Sequence, residues 1–425
     1  MPYRTPKILL LLLLILLLAG CGGGGHGAAD SSLTTPVSTV FKLGSVAQAT
    51  AGANHTVAIA PKGAASGPAY VWGDNTWGQI GDGTQVGPKS TPVSLGASTQ
   101  WKSVAAGGSH TLAIKSDGTL WAWGLNVDGQ LGDGNASGSR QPNPKQIGVA
   151  KDWVAIAAGD AHSIALEGSS ALQIMAWGQN ASGQLGLGVT LAAVNLTNVN
   201  VPTKVTKAYA ASTLSASPYT GLPWTAISAG GSNSMALRSD GTVFSWGDNS
   251  YGQLGQILPS NVSVPTQLAP IGGGTLGALS ITTGRYHSLA LLTDHTLYAW
   301  GANASGQLGD GSTLNRVAAV QVGNDNHWFA VAAGGAHTLA IKLDRTLWAW
   351  GSNSDGQLGD GTTIDSAVPE QIGTATNWVS VAAGRSHSIA IATDGTLWVW
   401  GRNAEGQLGN GTATITPVLI PTLLP

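Results

Sequence analysis

The feature that most constrains the fold is a Trp-Gly pair that recurs at seven regularly spaced positions along the 425-residue chain. The intervals between successive pairs are 51, 54, 69, 54, 50 and 50 residues. Most pairs follow a Gly-x-x-His segment and precede Gly-Gln-Leu-Gly or Gly-Gln-Ile-Gly. Units of about 50 residues indicate a propeller or a solenoid, in which each unit buries its apolar face against its neighbours. The tryptophans of the pairs are Trp72, Trp123, Trp177, Trp246, Trp300, Trp350 and Trp400.

Each unit has the alternation and the turn signals of short strands. In the second unit, four strands are predicted, at residues 104–106, 111–115, 120–123 and 144–147. Asp117 and Gly118 separate the second strand from the third, and this dipeptide predicts a type I′ turn, in which both central residues have positive φ. Such tight hairpins would interrupt the parallel stacking of a solenoid. The sequence therefore predicts an all-β fold, a seven-bladed β-propeller with four-stranded antiparallel blades.

Charge and cysteine content exclude several classes of function. Charged residues make up only 9 % of the chain, and the 19 basic and 21 acidic side chains are spread thinly. No basic stripe follows from this distribution, so no nucleic-acid partner is expected. Cys21 is the only cysteine, which excludes disulfides within the chain, thiolate zinc sites and iron–sulfur clusters. No cofactor is expected.

The amino-terminal segment resembles a bacterial lipoprotein signal. Arg4 and Lys7 precede an apolar run at residues 8–18, which is shorter than the roughly 20 residues that span a bilayer. The run leads into Leu-Ala-Gly-Cys, and in lipoproteins that cysteine, here Cys21, receives the lipid. Gly22 stands where an aspartate would retain a lipoprotein at the inner membrane, so the outer membrane is favoured. The alternative is a membrane-anchor helix with an incidental cysteine.

This resemblance divides the chain into three parts. Residues 1–20 are predicted to be the signal peptide, and residues 21–40 a flexible tether rich in Gly, Ser and Thr. The propeller is expected at residues 41–425, with one insertion at about 189–223 on the face that carries the hairpin turns. The lipid on Cys21 would attach the exported chain to a membrane.

The repeated motifs resemble the regulator of chromosome condensation repeat family, whose members form seven-bladed propellers. The motifs are Ala-Gly-x-x-His, Leu-Trp-x-Trp-Gly-x-Asn and Gly-Gln-Leu-Gly, and the resemblance covers residues 46–421. Eukaryotic members include an exchange factor for a small GTPase, and bacterial secreted members include an inhibitor that clamps β-lactamases. The resemblance implies a monomeric, non-catalytic protein-binding or scaffolding module with a protein partner at the cell envelope. Inhibition of a secreted enzyme and nucleotide exchange are the alternatives, and exchange requires a cytosolic, unprocessed chain.

Symmetry separates structural residues from candidate functional ones. A residue type that recurs in every unit performs the same task each time, whereas a binding residue should break the repeat. Six histidines occupy the repeat position, and we expect buried rings that bond to backbone carbonyls. The Gly-Asp-Gly triplets are interpreted as turns, because they lack the lysine of phosphate loops and the alternating acidic ligands of calcium loops. No catalytic or metal site is expected.

The residues that break the repeat are concentrated on one face. Because successive strands alternate in direction, the loops between strands one and two lie on the same face as those between strands three and four. Aromatic and arginine side chains dominate binding hot spots. The candidates for partner binding on this face are Trp77, Asp160, Tyr251, Arg285, Tyr286 and Arg385. A glycan-binding or hydrolytic propeller would instead need carboxylates that meet at one mouth, and the candidates for that role are Asp128, Asp355 and Glu405.

Overall fold

Seven β-sheets form the described part of the chain. Each sheet is one blade, and its four core strands follow one another in chain order and pair antiparallel. The prediction of an all-β, seven-bladed propeller with four-stranded antiparallel blades is therefore confirmed. The computed structural model describes residues 45–60, 67–96, 100–135, 138–169, 172–188, 197–209, 216–218, 222–257 and 260–424. Cys21, the predicted signal peptide and the predicted tether lie outside these residues.

The strands of the first three blades are β1 (Gln48–Ala51), β2 (His55–Ile59), β3 (Ala69–Gly73), β4 (Lys89–Ser94), β5 (Trp101–Ala106), β6 (His110–Lys115), β7 (Leu120–Leu125), β8 (Arg140–Ile147), β9 (Trp153–Ala158), β10 (His162–Glu167), β11 (Gln173–Gly178) and β12 (Val199–Lys204). A hairpin of β13 (Lys207–Tyr209) and β14 (Ala216–Pro218) follows. Blade four contains β15 (Trp224–Ala229), β16 (Asn233–Arg238), β17 (Val243–Asp248) and β18 (Asn261–Gln267).

After a 3-10 turn at Ile271–Gly273, the last three blades contain β19 (Ala278–Thr283), β20 (His287–Leu292), β21 (Leu297–Gly301), β22 (Arg316–Gln321), β23 (Trp328–Ala333), β24 (His337–Lys342), β25 (Leu347–Gly351), β26 (Ser366–Gln371), β27 (Trp378–Ala383), β28 (His387–Ala392), β29 (Leu397–Asn403) and β30 (Thr414–Leu423). Apolar side chains from adjacent blades pack into seven clusters, each containing at least one buried tryptophan. Within the described residues, no helix combines the length and the apolar character needed to cross a bilayer.

The predicted insertion at residues 189–223 is not a single projection on the hairpin face. It includes β12, which is the regular outer strand of blade three. Strands β13 and β14 instead extend blade four, where β13 lies parallel to β18 and the sheet has six strands. The extra residues therefore widen one blade at its outer edge, as far as the structure describes them.

One hydrogen-bond pattern joins each blade to the next. Between blades six and seven, Trp400 Nε1 and Ser388 Oγ donate to the backbone carbonyl of Gln357, at 2.9 and 2.7 Å. Because the only hydroxyl hydrogen of Ser388 is used in the bond to the carbonyl, Ser388 Oγ accepts a hydrogen bond from His337 Nε2 at 3.0 Å. All seven Trp-Gly tryptophans make the equivalent bond to a glutamine carbonyl. The repeated residues are thus the ones that form the junction between blades.

The histidines are buried as predicted, but the predicted partner is wrong. All six rings bond to a Ser or Thr hydroxyl of the following blade, and that hydroxyl donates its own hydrogen bond to the backbone carbonyl. Burial lowers the pKa of His337 from 6.5 to about 3, so its ring is neutral at physiological pH. Blade four departs from the pattern, because Asn233 replaces the histidine and neither of its buried amide atoms has a hydrogen-bond partner.

The turn between the second and third strands differs from the predicted type I′ form. Gly118 has a φ of 79°, and its amide bonds to the carbonyl of Lys115 at 3.0 Å. Asp117 does not have positive φ, since among the described non-glycine residues only His295 and Arg345 do. The loop is therefore a three-residue hairpin, in which only the last residue needs the left-handed conformation. His295 and Arg345 occupy that position in blades five and six.

The ring closes with the same junction that joins the other blades. Thr56 Oγ1 and Trp72 Nε1 of blade one both donate to the carbonyl of Gln407 in blade seven, each at 2.9 Å. His387 Nε2 completes the pattern, 3.0 Å from Thr56 Oγ1. In the described residues, blades one and seven each consist of consecutive strands, so no strand is exchanged across this junction. Closure therefore depends on side-chain and backbone contacts between the two blades, such as the bond from Val46 N to Gly395 O at 2.8 Å, rather than on a shared sheet.

Candidate functional site

Seven loops, each between the first and second strand of a blade, surround a depression at the centre of one face, here called the central mouth. Each loop contributes a small residue, a glycine and a third, variable residue. Backbone hydrogen bonds link neighbouring loops around the mouth, as from Gly108 N to Gly159 O at 3.0 Å and from Arg385 N to Gly52 O at 3.3 Å. The mouth is thus a hydrogen-bonded frame with one variable position in each blade.

The central mouth is small and carries little charge. Its volume is about 90 Å³, whereas pockets for drug-sized ligands hold roughly 300–1,000 Å³. Of its 21 lining residues, 18 are Ala, Gly or Thr. The other three are Asp160, Arg285 and Arg385, which are three of the residues predicted to bind a partner. A small molecule would find few partners here, whereas a protein surface can cover the mouth and its surroundings together.

The three charged residues meet across the mouth from different blades. Arg285 Nε of blade five donates to Asp160 Oδ2 of blade three at 3.0 Å. Arg385 Nη2 of blade seven lies 3.7 Å from the other carboxylate oxygen, Asp160 Oδ1. Two guanidinium groups therefore face one carboxylate, and their side chains remain 38 % and 42 % exposed.

Two tyrosines extend this cluster away from the mouth. The guanidinium carbon of Arg285 lies 5.0 Å from the ring centre of Tyr286, within range of a cation–π contact. The ring centres of Tyr286 and Tyr251 are 5.3 Å apart, and Tyr251 is 44 % exposed. Five of the six candidates therefore form one continuous surface, which we call the Arg–Tyr patch. Its residues are Asp160, Tyr251, Arg285, Tyr286 and Arg385.

Trp77 is placed differently from the other candidates. Its ring is half-buried, and the Arg140 guanidinium of blade two lies 4.5 Å from the ring centre. Arg140 also reaches Gln85 in the same loop as Trp77, at 3.4 Å. Trp77 thus packs against a neighbouring blade, and none of its described contacts joins it to the Arg–Tyr patch.

Of the three carboxylates considered for glycan chemistry, Asp355 and Glu405 share one arginine, whereas Asp128 has a different partner. Asp128 accepts a hydrogen bond from Asn198 at 2.9 Å. Glu405 accepts a bond from Arg402 at 2.9 Å, and Asp355 lies 4.0 Å from the same guanidinium. The hydrogen bond that Arg402 donates to Glu405 is the main reason that the pKa of Arg402 is raised. No group of three or more His, Cys, Asp or Glu side chains that could hold a metal occurs among the described residues.

Sequence reasoning missed a set of exposed aliphatic side chains in the loops before the outer strands or at the start of such a strand. In three blades the residue lies 14 positions after the Trp of the Trp-Gly pair, and two other blades have an aliphatic residue nearby. The periodicity could have revealed them, because the loops are otherwise polar. These side chains are 66–93 % exposed, so a structural role in the core does not explain them. They are Val86, Ile257, Leu314, Ile364 and Ile415.

Comparisons with known proteins identify the family. The model of the RCC1-like domain matches residues 18–330 and 219–425. The ultraviolet-B receptor UVR8 of Arabidopsis thaliana is 30 % identical over 279 residues, which are 65 % of this chain and 58 % of the plant protein. The probable E3 ubiquitin-protein ligase HERC6 of Homo sapiens is 34 % identical over 243 residues, which are 56 % of this chain but only 22 % of that protein.

Solved structures agree on the fold. The crystal structure of human WBSCR16 superposes with a TM-score of 0.71 at 23 % identity, over 84 % of this chain and 94 % of that one. Yeast RCC1 (Prp20), solved bound to Kap60, gives a TM-score of 0.69 at 22 % identity, over 85 % of this chain and 84 % of that one. Motifs, fold and family model together establish that the chain belongs to the RCC1-like family, the repeat family that its sequence motifs resemble.

Proposed function

We propose that this protein is a non-catalytic protein-binding module, attached to the bacterial cell envelope by a lipid on Cys21, and that its partner docks on the Arg–Tyr patch. The observation that carries the proposal is the patch itself. Its five residues break the sevenfold repeat, belong to blades three, four, five and seven, and still form a continuous surface. Tyr and Arg are enriched at the centres of protein interfaces.

The wider family supports a protein partner rather than a small substrate. Yeast Prp20, which shares the fold, has been solved bound to Kap60 and characterised for its binding to Gsp1p and histones. UVR8 is named as a receptor and HERC6 as a probable ligase, but this chain spans only 58 % of the length of UVR8 and 22 % of the length of HERC6. A protein-binding or regulatory module is the function that this fold supports, and envelope attachment is our extension of it.

Inhibition of a secreted enzyme is the second candidate function. An inhibitor needs a rigid surface that loses little conformational entropy on binding, and rigidity of this kind strengthens association. The hydrogen-bonded frame of the central mouth has that character. In this case the partner captured on the Arg–Tyr patch would be an enzyme, and the purified propeller would reduce its activity. Nucleotide exchange on a GTPase would instead require the chain to remain in the cytosol.

Site-specific photo-crosslinking tests the docking surface. A photoreactive amino acid replaces Tyr251 in the full-length protein expressed in the native bacterium, and a second version carries it at Lys151 on the opposite face. We expect a discrete cross-linked protein from position 251 and not from position 151. Tyr286→Ala should lower the yield of that product about thirtyfold, because loss of a hot spot costs about 2 kcal/mol or more. Equal products from both positions, or an unchanged yield with Tyr286→Ala, would reject the patch.

Substitution of the single cysteine tests the envelope attachment. Cys21→Ser removes the thiol that would carry the lipid, so we expect loss of palmitate labelling and accumulation of unprocessed chain. Multiply acylated chains stay on membranes, whereas a chain without acyl groups should be recovered in the soluble fraction after membrane washing. Ser45→Ala, at the start of the described residues, is the matched control and should label like the unaltered protein. Persistent palmitate label in Cys21→Ser would contradict the attachment.

A further inference from the structure

We propose that the central mouth binds a carboxylate presented by an acidic side chain of the protein partner, held between Arg285 and Arg385. This inference rests on the proposed function and specifies the chemistry of the partner at the same patch. It follows from three features of the mouth: an excess of guanidinium over carboxylate, the exposure of Arg385, and a small volume lined mainly by Ala, Gly and Thr.

The charge balance of the mouth is uneven. Among its lining residues the charged groups are two arginines and one aspartate, which leaves one positive charge. Asp160 lies near both arginines but forms a hydrogen bond with only one of them. Its carboxylate is 3.0 Å from Arg285 Nε and 3.7 Å from Arg385 Nη2. An interaction at 3.7 Å is too long for a hydrogen bond. Arg385 therefore keeps guanidinium donors that a second carboxylate can use.

Arg285 is held in a fixed position for this purpose. Its guanidinium lies over the Tyr286 ring on one side and bonds to Asp160 on the other. Arginine presents its donors as a planar fork that matches the two oxygens of a carboxylate. With Arg285 fixed and Arg385 exposed, an incoming carboxylate can bond to Arg385 and approach Arg285 without rearrangement of the backbone.

The glycines of the mouth let the loops of adjacent blades approach each other closely. The variable position is Gly231, Gly335 or Gly108 in the blades that precede Arg285, Arg385 and Asp160, respectively. A Cβ on Gly335 would lie 2.4 Å from the Arg385 carbonyl oxygen, so a larger residue does not fit there. The volume of about 90 Å³ is far below the roughly 300–1,000 Å³ of pockets for drug-sized ligands, which suits a small group such as one carboxylate.

The single residual positive charge of the mouth favours a carboxylate over a phosphate as the ligand. A carboxylate carries one negative charge and neutralises the mouth, whereas a phosphate monoester carries nearly two and would leave an uncompensated charge. A phosphopeptide is therefore a separate outcome of the test below rather than part of the proposal.

Peptide binding measured by fluorescence anisotropy tests the inference at 0.15 M ionic strength, where the Debye length is about 8 Å. The probes are four peptides that share one short sequence and differ at two positions or at the carboxyl terminus. Three are amidated at the carboxyl terminus and carry two glutamates, two glutamines or two phosphoserines. The fourth carries two glutamines and has a free carboxyl terminus. We expect the glutamate peptide to bind the full-length protein about tenfold more tightly than the amidated glutamine peptide. Tighter binding of the free-ended glutamine peptide would assign the site to a terminal carboxylate, and equal or tighter binding of the phosphoserine peptide would overturn the carboxylate proposal.

Three variants locate the binding. Arg385→Gln should remove the preference for glutamate, and Asp160→Asn should strengthen glutamate binding about fivefold or more, because it removes the internal competitor for both arginines. Arg238→Gln makes the same change of charge on the opposite face, beside Asp240, and should leave the preference unchanged. Melting temperatures measured in parallel identify any variant that fails to fold. An unchanged preference in Arg385→Gln, or an equal loss in Arg238→Gln, would overturn the inference.

The crosslinking product at position 251 separates this inference from the proposed function. If that product persists while the peptides bind equally, the patch binds a protein but not through a carboxylate. If the product is absent and the glutamate preference is present, the mouth binds carboxylates and the proposed docking surface is wrong.

Discussion

The protein is expected to lose stability steeply as the pH falls from 6.5 towards 4. Six buried histidines hold neutral rings at the junctions between blades, and burial lowers their pKa from 6.5 to about 3 or 4. The unfolded chain binds protons at these histidines below pH 6.5, but the folded protein does not. Their stabilising contribution is therefore complete above pH 6.5 and is lost as the pH decreases, by about 1.4 kcal/mol per pH unit for each ring.

Denaturant unfolding at several pH values between 7 and 4.5 measures this slope. The aspartates whose pKa is lowered have an ordinary pKa of 3.8, so the stability that they contribute is lost mainly below this range. His337→Asn, which imitates the natural Asn233 of blade four, should reduce the slope by about 1.4 kcal/mol per pH unit. His327→Asn is the control, because the His327 side chain is 68 % exposed, and it should leave the slope unchanged. A free energy of unfolding that is flat between pH 6.5 and 4.5 would contradict the neutral, buried rings.

Alanine at the glycine three residues before each histidine should strongly destabilise the fold. A Cβ on Gly334 would lie 2.3 Å from His337 Cε1 and 2.7 Å from the Gly384 carbonyl oxygen of the next blade. The ring cannot move aside without breaking its bond to Ser388. Overpacking of a rigid core typically costs about 1–3 kcal/mol, and we expect Gly334→Ala to be at or above the upper end of that range.

The control for this substitution is Gly274→Ala in the connection between blades four and five. Its φ lies outside the left-handed region, and the nearest atom to an added Cβ is Leu276 N at 3.9 Å. We expect a change in the free energy of unfolding within about 0.5 kcal/mol. If Gly334→Ala is as well tolerated as Gly274→Ala, the close contact between glycine and histidine is not what requires the Gly-x-x-His motif.

Several details could not be predicted because they depend on choices between similar local solutions. A buried histidine needs an acceptor, and both a carbonyl and a hydroxyl meet that need, so the motif did not distinguish them. Asp117 and Gly118 fit both a type I′ turn and a three-residue hairpin, because each has glycine in the left-handed conformation. The insertion at residues 189–223 was recognised only by its length, and its pairing with β18 depends on the free outer edge of blade four.

The repeat by itself determined the number of blades, the strands within them and the residues of each junction. It could do so because strand pairing and junction contacts join residues of one unit or of adjacent units, and the same spacing recurs in nearly every blade. Breaks in the repeat also identified the face that carries the candidate residues.

Only the tertiary structure decided which of those residues meet. Asp160 and Arg285 are 125 residues apart and belong to blades that are not adjacent, so no local spacing relates them. Their contact exists because the ring closes with a narrow centre and brings the first loops of all blades together, whereas the wider rim keeps Trp77 against Arg140. The curvature that sets these distances arises from the packing of whole blades against one another, a property that no single unit of the sequence contains.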